Sequence, residues 1–317
     1  MKKTIKNLFA IMCVLVIALS AFSCTAPEEG PVNEPPLPLP NETPVNVTLA
    51  DGAISADDKS GLSVSGNILT VNAPGTYKLT GSLTNGQIIV DTLNKGDVFL
   101  VLAGVNINCN NSAPIYCKQA KNLYIVLEKD TENRVSDGNS YVFEPGQDEP
   151  DATIFSKDDL FIMGEGSLIV DANYRDGITG KDDVNIESGN VTVDAVNHGI
   201  KGKDSLEIKG GSVNITALGD GLKATQDNDA TLGFVEIKNG NVVINAGDEG
   251  IQAYTKVLIT GGNITLSSAD AGIKAEQVIT VSGGTLAITT YDSAFSCPKV
   301  EGSAEANVTV NGNKHTF

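Results

Sequence analysis

The octapeptide Asp176-Gly177-Ile178-Thr179-Gly180-Lys181-Asp182-Asp183 returns 22 residues later as His198-Gly199-Ile200-Lys201-Gly202-Lys203-Asp204-Ser205. A fixed period of this length points to stacked repeats rather than to a folded sheet with reversing turns. Equivalents of Gly177 fall at Gly199, Gly221, Gly250 and Gly272, and Ala294 continues the series. The one interval of 29 residues carries a seven-residue insertion around Gln226-Asp227-Asn228-Asp229.

Within each unit, apolar and polar residues alternate on both sides of a second glycine. Val184-Asn185-Ile186 and Val191-Thr192-Val193 are one example, and Leu206-Glu207-Ile208 with Val213-Asn214-Ile215 is the next. A period of two is the signature of a strand with one face inward, so each unit reads as two short strands around a glycine. Such a unit has no helical stretch and cannot bury its apolar face alone, so successive units must stack. The expected fold is all-β: a single parallel β-helix of about 22 residues per coil. Leucine-rich repeats share the length but need an Asn- or Cys-centred consensus that is absent here.

Ahead of the repeats lies a basic start, an apolar run over residues 8–22, and small residues before Cys24. This is a signal peptide, too short to span a membrane. Ending in a cysteine, it resembles a bacterial lipoprotein signal, in which Cys24 is lipidated and becomes the first residue; Phe22 and Ala21 depart from the commonest form, and ordinary secretion is the alternative. The expected organisation is a signal over 1–24, a Pro-rich tether over 25–46 and the β-helix over 47–317, with residues 45–82 as a less regular cap. The location would be extracellular, lipid-anchored to the cell envelope, with the lipid as the sole membrane contact, and the chain is expected to be a monomer.

The chain carries 39 acidic against 22 basic side chains, a net charge of −17, and loss of the signal makes it about −20. Nucleic acid is thereby excluded as a partner, since a polyanion would meet repulsion rather than release counterions. Cys109, Cys117 and Cys297 follow no zinc spacing; Cys109 and Cys117 either bridge or stack as small buried residues.

Six further segments carry a resemblance. They are Gly75-Thr76-Tyr77-Lys78-Leu79-Thr80-Gly81-Ser82-Leu83, Gly86-Gln87-Ile88-Ile89-Val90, the apolar run from Val98 to Val105, Ala113-Pro114-Ile115-Tyr116, Ile154-Phe155-Ser156-Lys157-Asp158-Asp159-Leu160 and Gly164-Glu165-Gly166-Ser167-Leu168. In this order, followed by the Asp-Gly-Ile-Lys coils, they resemble a family of bacterial carbohydrate-binding β-helix domains related in architecture to pectate lyases. The likeness covers roughly residues 45–296. It implies a right-handed β-helix outside the cell that binds calcium and plant-type polysaccharides, cellulose or acidic pectin-type glycans; it does not imply lyase activity.

The acids can also be read from the repeat alone. Stacking in register aligns Asp158, Asp182 and Asp204, with Asp159 and Asp183 in the next column. Coils lie about 4.8 Å apart, where two carboxylates repel by roughly 1 kcal/mol in water and about 3–4 kcal/mol at an effective dielectric of 20. A second acidic series precedes the marked glycine: Asp176, Asp220, Asp248, Glu249, Asp270 and Asp292. A hard divalent cation would relieve either column, and calcium accepts six to eight oxygens from different coils. Zinc is disfavoured with His198 and His315 as the sole histidines and neither having an evident partner. Asp is also simply a good turn residue, which leaves the calcium expectation open.

Lys201, Lys223 and Lys274 follow the Gly-Ile or Gly-Leu pair in three coils and could face sugar carboxylates or bridge the acids. A pectate lyase needs calcium on the uronate and a basic Lys or Arg as proton acceptor. Both types are present, with Lys201 and Lys223 as the candidate bases, yet a repeat copies its charges and most such lysines are partners of nearby acids. The chain has no Trp, so sugar stacking would rest on Tyr254, Tyr174 and Tyr291, of which Tyr254 is the candidate binding residue. The expected function is calcium-assisted polysaccharide binding, with a polysaccharide lyase and a structural surface protein or adhesin as rivals. The interruption read over residues 128–151 either shapes the binding face or is a mere excursion.

Overall fold

The computed structural model describes residues 37–41 and 43–317; the signal, Cys24 and most of the tether lie outside them. Among the described residues there is no helix, and strands stack in parallel with their equivalents one coil away. The fold is a parallel β-helix, as the repeat requires.

Each coil contributes three strands, not two. In one coil these are Asp176–Gly180, Asp183–Ile186 and Asn190–Ala195, and in the next Ile200–Gly202, Ser205–Ile208 and Ser212–Ala217. We call the corresponding columns the first, second and third faces. The marked phrase, read as a turn, is itself the first-face strand. It escaped the alternation rule because a three-residue strand offers a single alternation: Ile200, Leu222, Ile251 and Ile273 are fully buried at its first position, and its second inward position holds only the small Gly202, Ala224, Ala253 and Ala275. The second and third faces are the two strands the alternation identified, in unbroken register from coil to coil. At the N-terminal end the long strands Gly75–Leu83 and Val98–Cys109 span both, the latter pairing with Asn122–Leu127 and with Glu132–Asp137.

Two columns of glycine set the corners. Gly199 does not need a positive φ; a Cβ there would lie 2.4 Å from Ile215 Cγ2 and 2.6 Å from the carbonyl oxygen of Gly221. The marked glycine is therefore imposed by the core strand and by the coil stacked on it, and Ala294 is tolerated where the first face has no further coil beyond it. Between the second and third faces, Gly211 sits at φ +80°, and a Cβ would approach the carbonyl oxygen of Gly189 to 2.5 Å. Left-handed backbone and close approach combine here.

The ends are closed by antiparallel pairs: Val45–Leu49 with Ser55–Ala56 and Leu62–Ser65 with Ile68–Val71 at one end, Asn307–Val310 with Asn313–His315 at the other. Phe295, His315 and Phe317 gather beside the last pair, ring centroids 4.9–5.7 Å apart. These pairs cap edges that would otherwise template further strands. The expected cap over 45–82 holds the two antiparallel pairs, but parallel stacking already begins within it, Val45–Leu49 on Gly75–Leu83 and Ile68–Val71 on Gln87–Asp91.

The expected interruption is shorter than read. Glu132–Asp137 is the third-face strand of its coil, disguised because Asn133 faces inward and donates to Ser167 O while its Oδ1 accepts from the backbone of Gly104 and Val105. The loop is residues 138–151. Asp137 moors it, accepting from Tyr141 Oη at 2.7 Å and from the Asn173 amide at 2.5 Å. The insertion after Thr225 leaves the register intact, Leu222–Ala224 pairing directly with Ile251–Ala253. Its Asp227 and Asp229 accept from their own neighbours Asn228 and Thr231.

Cys109 and Cys117 are buried free thiols and Cys297 is half-buried. Burial pushes the Cys117 thiol up to about 12.

Two outcomes follow from this packing. Gly211→Ala should lose about 1–3 kcal/mol of stability in denaturant melts, since it adds a strained φ to a steric contact. Cys117 stays neutral in the folded chain at a pH where the unfolded thiol ionises, so its contribution is present below pH 9.0 and is lost as pH rises toward about 12. Comparing melts between pH 9 and 10.5, the wild type should lose about 1.4 kcal/mol per pH unit more than Cys117→Ala.

Candidate functional site

On the first face the outward column runs Tyr116, Phe155, Thr179, Lys201, Lys223, Gln252, Lys274, Ser296. The three lysines therefore share one row, with Gln252 between the second and third. Beside them runs the column preceding the marked glycine: Asp176, His198, Asp220 and Glu249, tied coil to coil through the glycine amides. Asp176 and Asp220 are fully buried and Glu249 is 3% exposed.

Each buried acid has its own lysine. Asp176 accepts from Lys201 Nζ, from Asn197 Nδ2 at 2.7 Å, from the His198 amide at 3.2 Å and from Thr179 Oγ1 at 3.3 Å. Lys201 also lies 3.6 Å from Asp151. Asp220 Oδ2 accepts from Lys223 Nζ at 2.6 Å and its Oδ1 from the Glu249 amide at 3.1 Å. Glu249 accepts from Lys274 Nζ at 2.5 Å. The lysines are therefore counter-charges before they are ligands.

His198 has partners that the sequence did not reveal. Its Nδ1 accepts the Asp220 amide at 3.1 Å and lies 3.2 Å from Asp220 Oδ2. Burial holds the imidazole down, to about 4, and burial likewise pushes the Asp220 carboxyl up, to about 6. Burial opposes the charge of Glu249 as well, but Lys274 and the neighbouring carboxyls hold it below the usual range. The hydrogen bond to Glu249 raises Lys274, keeping it an ammonium.

Asp220, Asp248 and Glu249 form the one group of three or more potential ligands found among the described residues, with an oxygen from each within 4.8 Å of the others. Asp248 is the exposed member, and Asp270 is the next acid along the same exposed turn. The donor set is all oxygen, and a shared cation with bonds of about 2.3–2.6 Å fits that span, which suits calcium and not zinc. Lys223 and Lys274 already hold two of the three carboxylates, so a cation would enter in competition with ammonium.

The other acidic column is in register as expected, Asp158 beside Asp182 and Asp182 beside Asp204, with Asp159 beside Asp183. Burial and then the charges of Asp204 and Asp158 raise the Asp182 carboxyl. Local donors meet much of the rest: Asp158 accepts from the Ala120 amide at 2.9 Å, Asp183 from Ser205 Oγ at 2.6 Å, and Asp204 from Gln226 Nε2 at 2.9 Å. Tyr254, 44% exposed, lines a depression of about 140 Å³ with Lys223, Gln252 and Glu276. Tyr174 instead stacks on Tyr141 at 4.3 Å, and Tyr291 stands 95% exposed.

The sequence did not single out a larger cleft of about 530 Å³ between the loop 138–151 and the first face, lined by Tyr116, Lys118, Phe143, Gln147 and Lys157 among others. Glu149 pins the loop there, 2.5 Å from Lys181 and 3.6 Å from Lys157. Its residues are spread over coils whose first-face phrase departs from the repeat, so periodicity gave no signal.

Fold and site together define an outward-facing polar surface on a parallel β-helix. A family model described as "Carbohydrate-binding domain-containing protein" matches residues 65–315, and the chain belongs to that family. A protein of the same description from Acetivibrio thermocellus is 43% identical over 143 residues, 45% of this chain and 50% of that protein. The chain thus matches about half the length of this curated relative. Among solved structures, a polysaccharide lyase-like protein from C. thermocellum, recorded as a gadolinium derivative, superposes with a TM-score of 0.70 at 31% identity, covering 83% of this chain and 99% of that one.

If the lysines are counter-charges, Lys223→Ala leaves Asp220 buried against an uncompensated charge and should cost at least about 2 kcal/mol. Lys256→Ala, whose lysine lies over the Phe234 ring with no acid bound to it, should cost under about 1 kcal/mol in the same thermal melts.

Proposed function

We propose that this protein binds an extracellular polysaccharide in a calcium-assisted manner and is held at the cell envelope by a lipid on Cys24. The observation that carries the reading is the first face, where a row of half-buried lysines lies against a carboxylate cluster with one exposed member, Asp248. Calcium held by Asp220, Asp248 and Glu249 would present a positive centre toward the solvent. Lys201, Lys223, Lys274 and Tyr254 would border it, an arrangement suited to the carboxylates and hydroxyls of a pectin-type glycan crossing several coils. Such contacts are individually weak and gain through repetition along a polymer. The family membership and the lyase-like relative support a polysaccharide as the ligand class.

Binding is favoured over cleavage by the state of the lysines. A lyase base must give up its proton, whereas Lys274 is held as an ammonium by Glu249 and Lys201 and Lys223 are clamped on buried Asp176 and Asp220.

Incubating the purified protein with polygalacturonate should give sedimentation of the complex with calcium and at least tenfold less with a chelator, with no rise in ultraviolet absorbance from unsaturated ends. Asp248→Asn should weaken calcium binding by calorimetry about tenfold while leaving the melt in chelator unchanged. Steady product formation would make the protein a lyase; retention indifferent to calcium and to Asp248 would remove the cation from the reading.

A further inference from the structure

The loop of residues 138–151 is a fixed wall over the outer side of the first face. Tyr141 ties its start to Asp137 at 2.7 Å and stacks on Tyr174 at 4.3 Å, while Glu149 holds its end on Lys181 at 2.5 Å. Beneath it Tyr116 and Phe155 meet edge to face, 5.7 Å between ring centroids, in a small apolar cluster with Ala113 and Ala152 that is separate from the main core. The cleft of about 530 Å³ between wall and face is therefore preformed, and its volume is that of a small-molecule site.

Two of its polar groups are unspent, whereas each lysine of the first-face row holds an acid. Gln87 is 8% exposed; its Nε2 donates to Ala113 O at 2.6 Å and to Ser112 Oγ at 3.1 Å, yet among the described residues its Oε1 accepts from no donor. The Ala113 carbonyl can only accept, which fixes the orientation of the amide. Leaving so enclosed an acceptor unmatched is costly. The Lys118 ammonium lies 5.6 Å from the centre of the Tyr116 ring, and among the described residues no carboxylate pairs with it, in a chain of net charge −17.

Register sets these two groups at opposite ends of the cleft. Ile89 pairs with Tyr116, so Gln87 lies two positions before that pair and Lys118 two positions after it, all facing outward while Ile88, Val90, Ile115 and Cys117 enter the core. Four residues of strand span roughly 13 Å, which Lys118 shortens by turning back over Tyr116. The lining between them is apolar, Ile89 and Tyr116 on the strands and Phe143 on the loop. The cleft thus asks for a ligand with a polar group at each end and a flat apolar middle.

We propose that the cleft binds a small aromatic carboxylate with a hydroxyl at the far end of the ring. The carboxylate pairs with Lys118, the ring lies along Tyr116 and Phe143, and the hydroxyl donates to Gln87 Oε1. A sugar acid offers the same charge, but its hydroxyls stand all round the ring and would lose water against Ile89 and Phe143 without a partner. The site is distinct in place and in ligand from the cluster of Asp220, Asp248 and Glu249, and it does not rest on the polysaccharide reading.

Calorimetry on the purified protein with 4-hydroxycinnamate as the probe should show one site per chain, with cinnamate, which lacks the hydroxyl, bound about fivefold more weakly. Lys118→Gln removes the charge from an exposed side chain, so it should leave the thermal melt unchanged and weaken the probe about tenfold. Phe143→Ala should weaken it about fivefold. Retention on polygalacturonate should be the same in wild type and both variants. A wild type that does not bind the probe would overturn the assignment, as would binding indifferent to both substitutions or to loss of the hydroxyl. Galacturonate that displaces the probe at equal concentration would also overturn it, by giving the cleft to a sugar acid, and loss of polygalacturonate retention in Lys118→Gln would do the same.

Discussion

Coil-on-coil register is the constraint from which the other features follow. Because each strand pairs with its equivalent one coil away, every side chain is placed about 4.8 Å from its counterpart in the next coil. Inward columns of Val, Ile and Leu gain from this repetition, as dispersion and burial add without conflict. Outward columns do not share that indifference. A column of carboxylates must be neutralised or broken, and the coils around Asp176, Asp220 and Glu249 do both, with a lysine for each acid and with His198 in place of a fourth carboxylate.

Burial sharpens that requirement. Asp176 and Asp220 lie beyond the reach of solvent, so their charge has to be met by hydrogen bonds and ammonium groups rather than by water. Lysine meets it and at the same time keeps its own alkyl stem packed over the corner. The acid raised by burial and the histidine lowered by it sit side by side, so the imidazole stays neutral, its Nδ1 accepting the Asp220 amide, while Lys223 meets the carboxylate.

Much of the fold was legible because two faces follow strict alternation over many coils. Val184-Asn185-Ile186 and Val191-Thr192-Val193 could scarcely be read otherwise. The first face was missed because a strand as short as Ile200-Lys201-Gly202 shows only one alternation, with a small residue at its second inward position. Glu132–Asp137 was missed because Asn133 buries an amide where an apolar residue was expected. For the site, the Lys and Asp positions were visible through their repetition, while their pairing was not: nothing in one sequence says that Asp220 is buried and Asp248 exposed, although they occupy neighbouring turns. Tyr141, Glu149 and Asp151 belong to a loop outside the repeat, where their contacts depend on tertiary structure alone.

The same carboxylates cannot serve lysine and calcium fully at once. Lys223 and Lys274 are tethered to the coils they neutralise, so their effective concentration at Asp220 and Glu249 is high, and a free cation must gain more than it displaces. Asp248 tips this balance, since it is exposed, lacks a lysine of its own and adds a third oxygen donor that an ammonium already engaged on one carboxylate reaches poorly. A divalent ion bridging all three would release Lys223 and Lys274 toward the solvent side, where a sugar carboxylate could take the place of the buried acids as their partner. Cation entry and polyanion binding would then be coupled through the lysines themselves, each making the other more favourable without any movement of the backbone.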